Sequence, residues 1–322
     1  MNANAAKTAL VTGASSGVGW EASAQLAEAG YGRIVVAART LAKADEARDA
    51  LLARVPGAQF VPLALDLDDF TSIDNAAQAL VAAGNPIDAL ILNAGVAATS
   101  ALRRTARGIE QIMSATITGH HALTSHLLRA ELLSPSARII IAGSEAARGD
   151  VPTFSNIDVQ ALAAASFDGD LERAIEAILR VDKPVKFANG TQYATAKTFA
   201  VWWAKELATR LPAGMTVNAV SPGNTPDTKA SREMPAIMRR VMLPIMKLMP
   251  SMWHSVPTAA ARYLTVIEMP DGVTGQFFAS PATKMTGPVT SMTMSHFTNV
   301  EGQRALWNVI NRVAGVSNAS KN

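Results

Sequence analysis

Two patterns of apolar positions alternate along most of the chain. Short runs that are apolar almost throughout occur at Thr8–Thr12, Arg33–Ala38, Ala58–Leu65, Asp88–Asn93, Arg138–Ala142, Met215–Ser221 and Val273–Ala279. Runs of this length without polar alternation predict strands covered by helices on both faces. Between them lie segments with helical spacing: Gly17–Ala29, Leu41–Val55, Phe70–Ala83, Thr105–Ala130, Thr191–Leu211 and Pro257–Glu268. Strand and helix in strict alternation predict the α/β class, a Rossmann-type doubly wound parallel sheet flanked by helices. No repeat or linker divides the 322 residues, so a single domain over 1–322 is expected.

Three pieces stand outside that alternation. One is an insertion at about 146–190 with an amphipathic helix near Asp170–Val181. Another is a Met-rich segment at about 229–256. The last is a C-terminal helix at about 301–315 that carries Leu306, Val309, Ile310 and Val313 on one face. Ser317–Asn322 reads as a frayed tail.

Composition narrows the function classes. Basic and acidic residues number 29 and 26, a small and scattered excess that leaves no electrostatic footprint for nucleic acid. With no cysteine, disulfides, thiol nucleophiles and Cys-ligated zinc are excluded. His120, His121, His126, His254 and His296 form no metal-ligand pattern with nearby carboxylates, and no metal is expected. The first strand begins near Thr8, and no apolar run is long enough to span a bilayer. A cytoplasmic protein without an integral membrane segment is the expectation.

Between the first strand and first helix lies Thr12-Gly13-Ala14-Ser15-Ser16-Gly17-Val18-Gly19. Glycines there allow a tight turn and close approach to a pyrophosphate, while the helix N-terminus presents free N–H groups and a positive dipole end. Gly13, Ser15, Ser16, Gly17, Val18 and Gly19 are therefore candidate cofactor residues; an ordinary turn is the bland alternative. The second strand ends in Ala37-Ala38-Arg39-Thr40, where NAD-binding folds place an acid on the ribose 2′-hydroxyl. Arg39 suits a 2′-phosphate instead, with Lys43 one turn on, so NADP(H) is expected over NAD(H). The alternative for Arg39 is a solvated surface charge.

With further motifs added, the chain resembles the short-chain dehydrogenase/reductase family from Thr8 to about Ala279. Thr12–Gly19 matches its TGxxxGxG. Asp66-Leu67 matches its adenine-contacting position, and Asn93-Ala94-Gly95 its NAG. Ser144 follows the fifth strand, where the family keeps its active-site serine, and Tyr193-Ala194-Thr195-Ala196-Lys197 matches YxxxK. Ser221-Pro222-Gly223 matches the turn near the nicotinamide, and Thr274-Gly275-Gln276 the start of the last strand. Within the family the chain looks most like the branch of retinol dehydrogenases and light-dependent protochlorophyllide reductases. Ser144 and Tyr193 are 49 residues apart, wider than in most members. Gly119-His120-His121-Ala122-Leu123-Thr124 is similar to the branch's GHFLLT. Long sequence follows Ser221-Pro222-Gly223, and the chain ends in a helix with Leu306-Trp307.

The resemblance implies a mechanism. Tyr193 and Lys197, four apart, share a helix face. Tyr193 would be general acid in reduction and general base in oxidation, its pKa lowered from about 10 by the ammonium and an oxidised nicotinamide. Lys197 would also hold the nicotinamide ribose. Ser144 would hydrogen-bond the substrate oxygen where charge develops. Asp66, Leu67, Asn93, Ala94, Gly95, Pro222 and Gly223 would contact the cofactor. Two departures from the family pattern stand out. Thr116 falls where the family has a catalytic Asn, so either the proton relay is altered or the register differs. After Gly223-Asn224, Asp227 falls near the usual threonine, leaving Thr225 or Thr228 for the carboxamide.

Met234, Met238, Met242 and Met246 recur every four residues, followed by Met249 and Met252, with Pro235, Pro244 and Pro250 interrupting any straight helix. This stripe is core or subunit packing, a lid over a bulky apolar substrate, or, through Arg239, Arg240 and Lys247, a membrane-surface contact. The leading functional expectation is an NADPH-dependent enzyme acting between a carbonyl and an alcohol on a small molecule. A carbon–carbon double-bond reductase and a non-catalytic NADP-binding sensor are the alternatives, the last kept open by Thr116. A homo-oligomer through the long fourth and fifth helices is possible for this family, subject to the insertion and tail.

Overall fold

The computed structural model describes residues 4–96, 101–151, 154–225 and 253–316. Seven parallel strands form one continuous sheet: β1 (Thr8–Thr12), β2 (Arg33–Ala38), β3 (Gln59–Ala64), β4 (Ile87–Leu92), β5 (Leu133–Ala142), β6 (Thr216–Val220) and β7 (Phe277–Ala279). An eighth, β8 (Thr290–Met292), adds antiparallel to β7. The order is β3-β2-β1-β4-β5-β6-β7-β8, so the winding direction reverses between β1 and β4. In such sheets the crevice beyond the carboxyl ends of the strands at that switch point is the ligand site. β1 and β6 are buried at every residue, as strands between two helical layers must be.

One face of the sheet packs against α1 (Gly17–Glu28), α2 (Leu41–Arg54) and α9 (Val256–Ile267). The other carries α3 (Phe70–Ala83), α5 (Gly119–Arg129) and α8 (Asn189–Ala208). Local sequence explains where these helices start. Asp69 caps α3 by accepting from the Thr71 amide at 2.9 Å, and Ser255 caps α9 ahead of Pro257. Gly84, at φ 65°, closes α3 in the left-handed region that glycine tolerates. The doubly wound, single-domain α/β fold expected from the alternation is the one observed. No helix among the described residues is long and apolar enough to cross a membrane.

Several boundaries differ from expectation. The helix foreseen over Thr105–Ala130 begins only at Gln111. Residues before it form a turn in which Gly108 has φ 76° and Arg104 pairs with Glu110. The short α4 (Gln111–Met113) then runs into a π-helical turn, Ser114–Thr118, before α5. Close packing explains the extra residue. Ser114 Oγ donates to the Leu67 carbonyl at 3.3 Å, and a Cβ on Gly119 would lie 2.3 Å from that oxygen. The last parallel strand is shorter than Val273–Ala279, because Gly275 turns at φ 68° and the Thr274 side chain accepts from the Val217 amide. The insertion holds two helices rather than one, α6 (Val159–Ser166) and α7 (Leu171–Arg180), and β8 has no counterpart in the sequence reading.

The C-terminal helix, α10 (Val300–Ala314), lies across α8, α7 and α5 with Leu306, Val309 and Ile310 fully buried. Arg312 pairs with Glu172 and Glu176 of α7 at 2.9 and 3.1 Å. His121 of α5 bonds Asn311 at 2.8 Å and meets Trp203 and Trp307 edge-on. The chain thus covers the outer face of α8 with its own segments. The methionine stripe, Asp227, Thr228 and Ser317–Asn322 lie outside the described residues.

Candidate active site

Every candidate site residue sits at the carboxyl end of a strand or on a helix facing that end. After β1 the chain turns at Gly13 (φ 66°) and Gly17 (φ 61°). A Cβ on Gly13 would stand 2.8 Å from Ala94 Cα, and one on Gly19 would stand 2.5 Å from Asn93 Nδ2 and 2.6 Å from the Gly13 carbonyl. Glycine is thus required sterically where this loop passes the β4 loop. The side chain of Ser16, the residue capping α1, makes no capping bond, and no acid occupies the first turn. No capping side chain therefore takes up the amides at the start of α1, Val18 included, and Ser15 and Ser16 stand beside them.

Thr12 ties the two loops together. Its hydroxyl accepts from the Ala94 amide at 3.0 Å, and its carbonyl accepts from Asn93 Nδ2 at 3.1 Å. The same hydroxyl lies 2.9 Å from His120 Nε2, and His120 Nδ1 lies 3.3 Å from the Thr116 carbonyl. A carbonyl only accepts, so Nδ1 carries the proton and Thr12 donates to Nε2. Burial pushes the His120 pKa down to about 3, which keeps this tautomer neutral. Tyr263 of α9 completes the support by donating to Asn93 Oδ1 at 3.2 Å.

Arg39 follows β2 with its side chain 56% exposed, its Nε 3.8 Å from Asp66 Oδ2 beyond β3. Asp66 also accepts from the Asp68 amide at 3.1 Å, and Leu67 is buried against Gly119. An exposed guanidinium at the end of β2 is free to meet a phosphate in a forked geometry.

The catalytic candidates converge beside β5. Lys197 is buried on α8 and donates to the Ala142 carbonyl at 2.8 Å, which leaves two ammonium hydrogens for other partners. Its Nζ lies 5.7 Å from the Tyr193 ring centre. Burial draws the Lys197 pKa down to about 8. Burial also raises that of Tyr193, with the hydrogen-bonded Ser144 hydroxyl pulling it down and Glu145 pushing it up. Burial sets that direction in the protein alone; the lowering expected from the ammonium and an oxidised nicotinamide belongs to the cofactor-bound site. Ser144 Oγ accepts from the Ala146 amide at 3.2 Å and keeps its proton for another acceptor.

Thr116 lies in the π-helical turn. Its buried hydroxyl has no hydrogen-bond partner among the described residues. A methyl on Gly95 would be 4.0 Å from that oxygen and 3.9 Å from Lys197 Nζ, so the three border one small space. The Thr116 carbonyl is already engaged by His120. Beyond β6 the chain turns at Pro222-Gly223 (φ 80° at Gly223), and Thr225 is the last residue described before position 253. From the insertion, Phe154 packs on Tyr193 with ring centres 5.8 Å apart.

Three of these residues were absent from the sequence reading of the site: Glu145, Tyr263 and Phe154. Each is a single residue of ordinary type, and its partners are distant in sequence. His120, named in the sequence only as lacking a metal-ligand pattern, is part of the loop's support through its bond to Thr12. Among the described residues no three His, Asp or Glu side chains cluster as metal ligands.

Residues 7–156 match the family model for short chain dehydrogenases. The chain is 28% identical to a chloroplastic protochlorophyllide reductase of Chlamydomonas reinhardtii, over 97% of this chain and 78% of that one. Among solved structures, an uncharacterised protein from Mycobacterium paratuberculosis superposes with a TM-score of 0.67 at 20% identity, covering 96% of this chain and 93% of that one. A variant of actinorhodin polyketide ketoreductase with NADPH superposes at 0.62 and 21% identity, covering 86% and 96%. With the glycine loop, the NAG turn, the serine and the YxxxK pair meeting at one crevice, the chain belongs to the short-chain dehydrogenase/reductase family of nicotinamide-dependent oxidoreductases.

Proposed function

We propose that this protein is an NADP(H)-dependent reductase that interconverts a carbonyl and an alcohol on an apolar substrate. The observation that carries the reading is the meeting of Ser144, Tyr193 and Lys197 at the strand ends beside a loop whose glycines cannot carry a Cβ. The residues fit the cofactor. The open amides of α1 suit a pyrophosphate, and Arg39 replaces the acid that would select NAD. NADPH bound to the similar polyketide ketoreductase supports the same choice.

Bound in the crevice, the nicotinamide would supply the hydride. The chain's own residues do the rest. Lys197 has two ammonium hydrogens to hold the ribose hydroxyls. Ser144 donates to the substrate oxygen as negative charge develops there. Tyr193 delivers its phenolic proton to the same oxygen in the direction of reduction and takes it back in the direction of oxidation. Phe154, packed on Tyr193, gives the substrate side an aromatic wall, in keeping with an apolar substrate.

A second reading, reduction of a conjugated carbon–carbon double bond, is favoured by the near full-length similarity to protochlorophyllide reductase. One experiment separates the readings. NADPH and NADH oxidation is followed across aldehydes, ketones and enones of increasing size, with Tyr193→Phe as control. Turnover of ketones that prefers NADPH and disappears in the variant is the expected result. Saturated products from enones with the carbonyl intact would favour the second reading. Tight NADPH binding without any turnover would sink both.

A further inference from the structure

The second half of the site is held by a buried ion pair that the catalytic scheme does not use. Glu145, next to Ser144, is 1% exposed. Its Oε2 accepts a short hydrogen bond from Ser221 Oγ. Its Oε1 accepts from the Ser280 amide at 3.1 Å and the Ser280 hydroxyl at 2.9 Å, and lies 3.6 Å from Arg262 Nη2. One carboxylate thereby joins the carboxyl ends of β5, β6 and β7 to α9.

Both sides of Gly223 answer to this pair. Ser221 Oγ, oriented by Glu145, accepts from the Gly223 amide at 3.0 Å. Arg262 Nη1 bonds His254 Nε2 at 2.8 Å, and that ring stands where a Cβ on Gly223 would fall, 2.2 Å from Cδ2. One partner pulls on the Gly223 amide and the other blocks its far side. Apolar residues of similar volume would fold as well or better than a buried ion pair. The bonds of this costly pair reach the 221–223 turn through Ser221 and His254 and the end of β7 through Ser280, so what it supplies is geometry at these strand ends.

We propose that Glu145 is a positioning residue that sets the Ser221-Pro222-Gly223 turn against the nicotinamide end of the cofactor. The inference rests on the reading that this crevice binds NADP(H). It assigns Glu145 no contact with the reacting atoms and no proton transfer. Its effect travels through Ser221 to the backbone of the turn.

The test compares two ligands by calorimetry: NADPH, and 2′-phospho-ADP-ribose, which has the same adenine end and lacks the nicotinamide. Wild type, Glu145→Gln and Ser221→Ala are each titrated with both. In Glu145→Gln a single side-chain oxygen remains to accept, so the bonds from Ser221 and from Ser280 cannot both be kept, and Arg262 loses its counter-charge. Ser221→Ala removes the bridge while leaving the ion pair intact, so it decides the matter if Glu145→Gln does not fold. Loss of a charge-assisted hydrogen bond predicts NADPH binding weakened about tenfold in both variants. Binding of 2′-phospho-ADP-ribose should stay within about twofold of wild type. Equal weakening for both ligands, or none for NADPH, would overturn the positioning role. Failure of wild-type protein to bind either ligand would instead sink the NADP(H) reading on which it stands.

Discussion

The two halves of the crevice are built from different materials. On the β1–β4 side, backbone and glycine do the shaping: Gly13, Gly19 and Ala94 touch main chain to main chain, stitched by Thr12, Asn93 and a neutral His120. On the β5–β7 side, a buried carboxylate and guanidinium hold the turn, with Arg148 nearby donating to the Ser280, Pro281 and Lys284 carbonyls. A pyrophosphate needs a rigid cradle of amides, which glycines supply locally. A turn between three strand ends has no local scaffold, and only long side chains span the gap. The first half should therefore be sensitive to size and the second to charge.

The largest effect is expected from Arg262→Met, which leaves Glu145 buried beside no cation. Removing one member of a buried pair costs about 3–5 kcal/mol, read as a lower urea midpoint at pH 7. A loss under about 1 kcal/mol would show that charge is not what holds the second half.

Acid should act through two buried histidines, His120 in the glycine half and His121 beneath α10. The folded-state pKa values of His120 and His121 lie at about 3 and 4, below the ordinary 6.5. Between those values the unfolded chain binds more protons, so stability falls as pH drops below 6.5. At pH 5 each buried imidazole should cost about 2 kcal/mol. Urea denaturation at pH 7.5 and 5 should show the fall, reduced by about half in His120→Gln.

Lys197 joins the halves at a cost to stability. Its pKa, drawn from 10.5 to about 8, means that the ammonium opposes folding at neutral pH. Lys197→Met should raise stability by about 3 kcal/mol at pH 7 and abolish turnover. The gain should fade between pH 8 and 10.5, where the wild type itself becomes more stable because its folded form no longer carries the charge.

Gly19→Ala tests size alone. Its Cβ has no room beside Asn93 and the Gly13 carbonyl, and overpacking costs about 1–3 kcal/mol. NADPH affinity should fall by at least about tenfold, with the binding of 2′-phospho-ADP-ribose falling in parallel. The smallest effect belongs to Arg39→Ala. Loss of one exposed phosphate contact should lower the preference for NADPH over NADH about tenfold, seen as a change in the ratio of kcat/KM values.

The first half was legible before any coordinates. TGxxxGxG, NAG and Arg39 each sit within a few residues of a strand end, so reading the strand places the motif. YxxxK was equally plain, since four residues on a helix return to the same face. The π-helical turn at Ser114–Thr118 was not, because it follows from the packing of Ser114 and Gly119 on Leu67. That turn is also why Thr116 offers an unpartnered hydroxyl toward Lys197 while its carbonyl goes to His120. The burial acting on Tyr193 and Lys197 was not legible either, because spacing brings the two side chains together without showing what covers them.

By itself the sequence determined the α/β alternation, the family, the glycine cradle and the catalytic pair, because each is written in residues close along the chain. Only the tertiary structure decided what holds the second half together. Glu145, Ser221, Arg262 and Ser280 are spread over more than a hundred residues, and no spacing links them until three strand ends and a helix are brought side by side. Local motifs survive in one dimension because their geometry is set by neighbouring backbone angles. A buried charge network has meaning only once water is excluded from the place where its members meet.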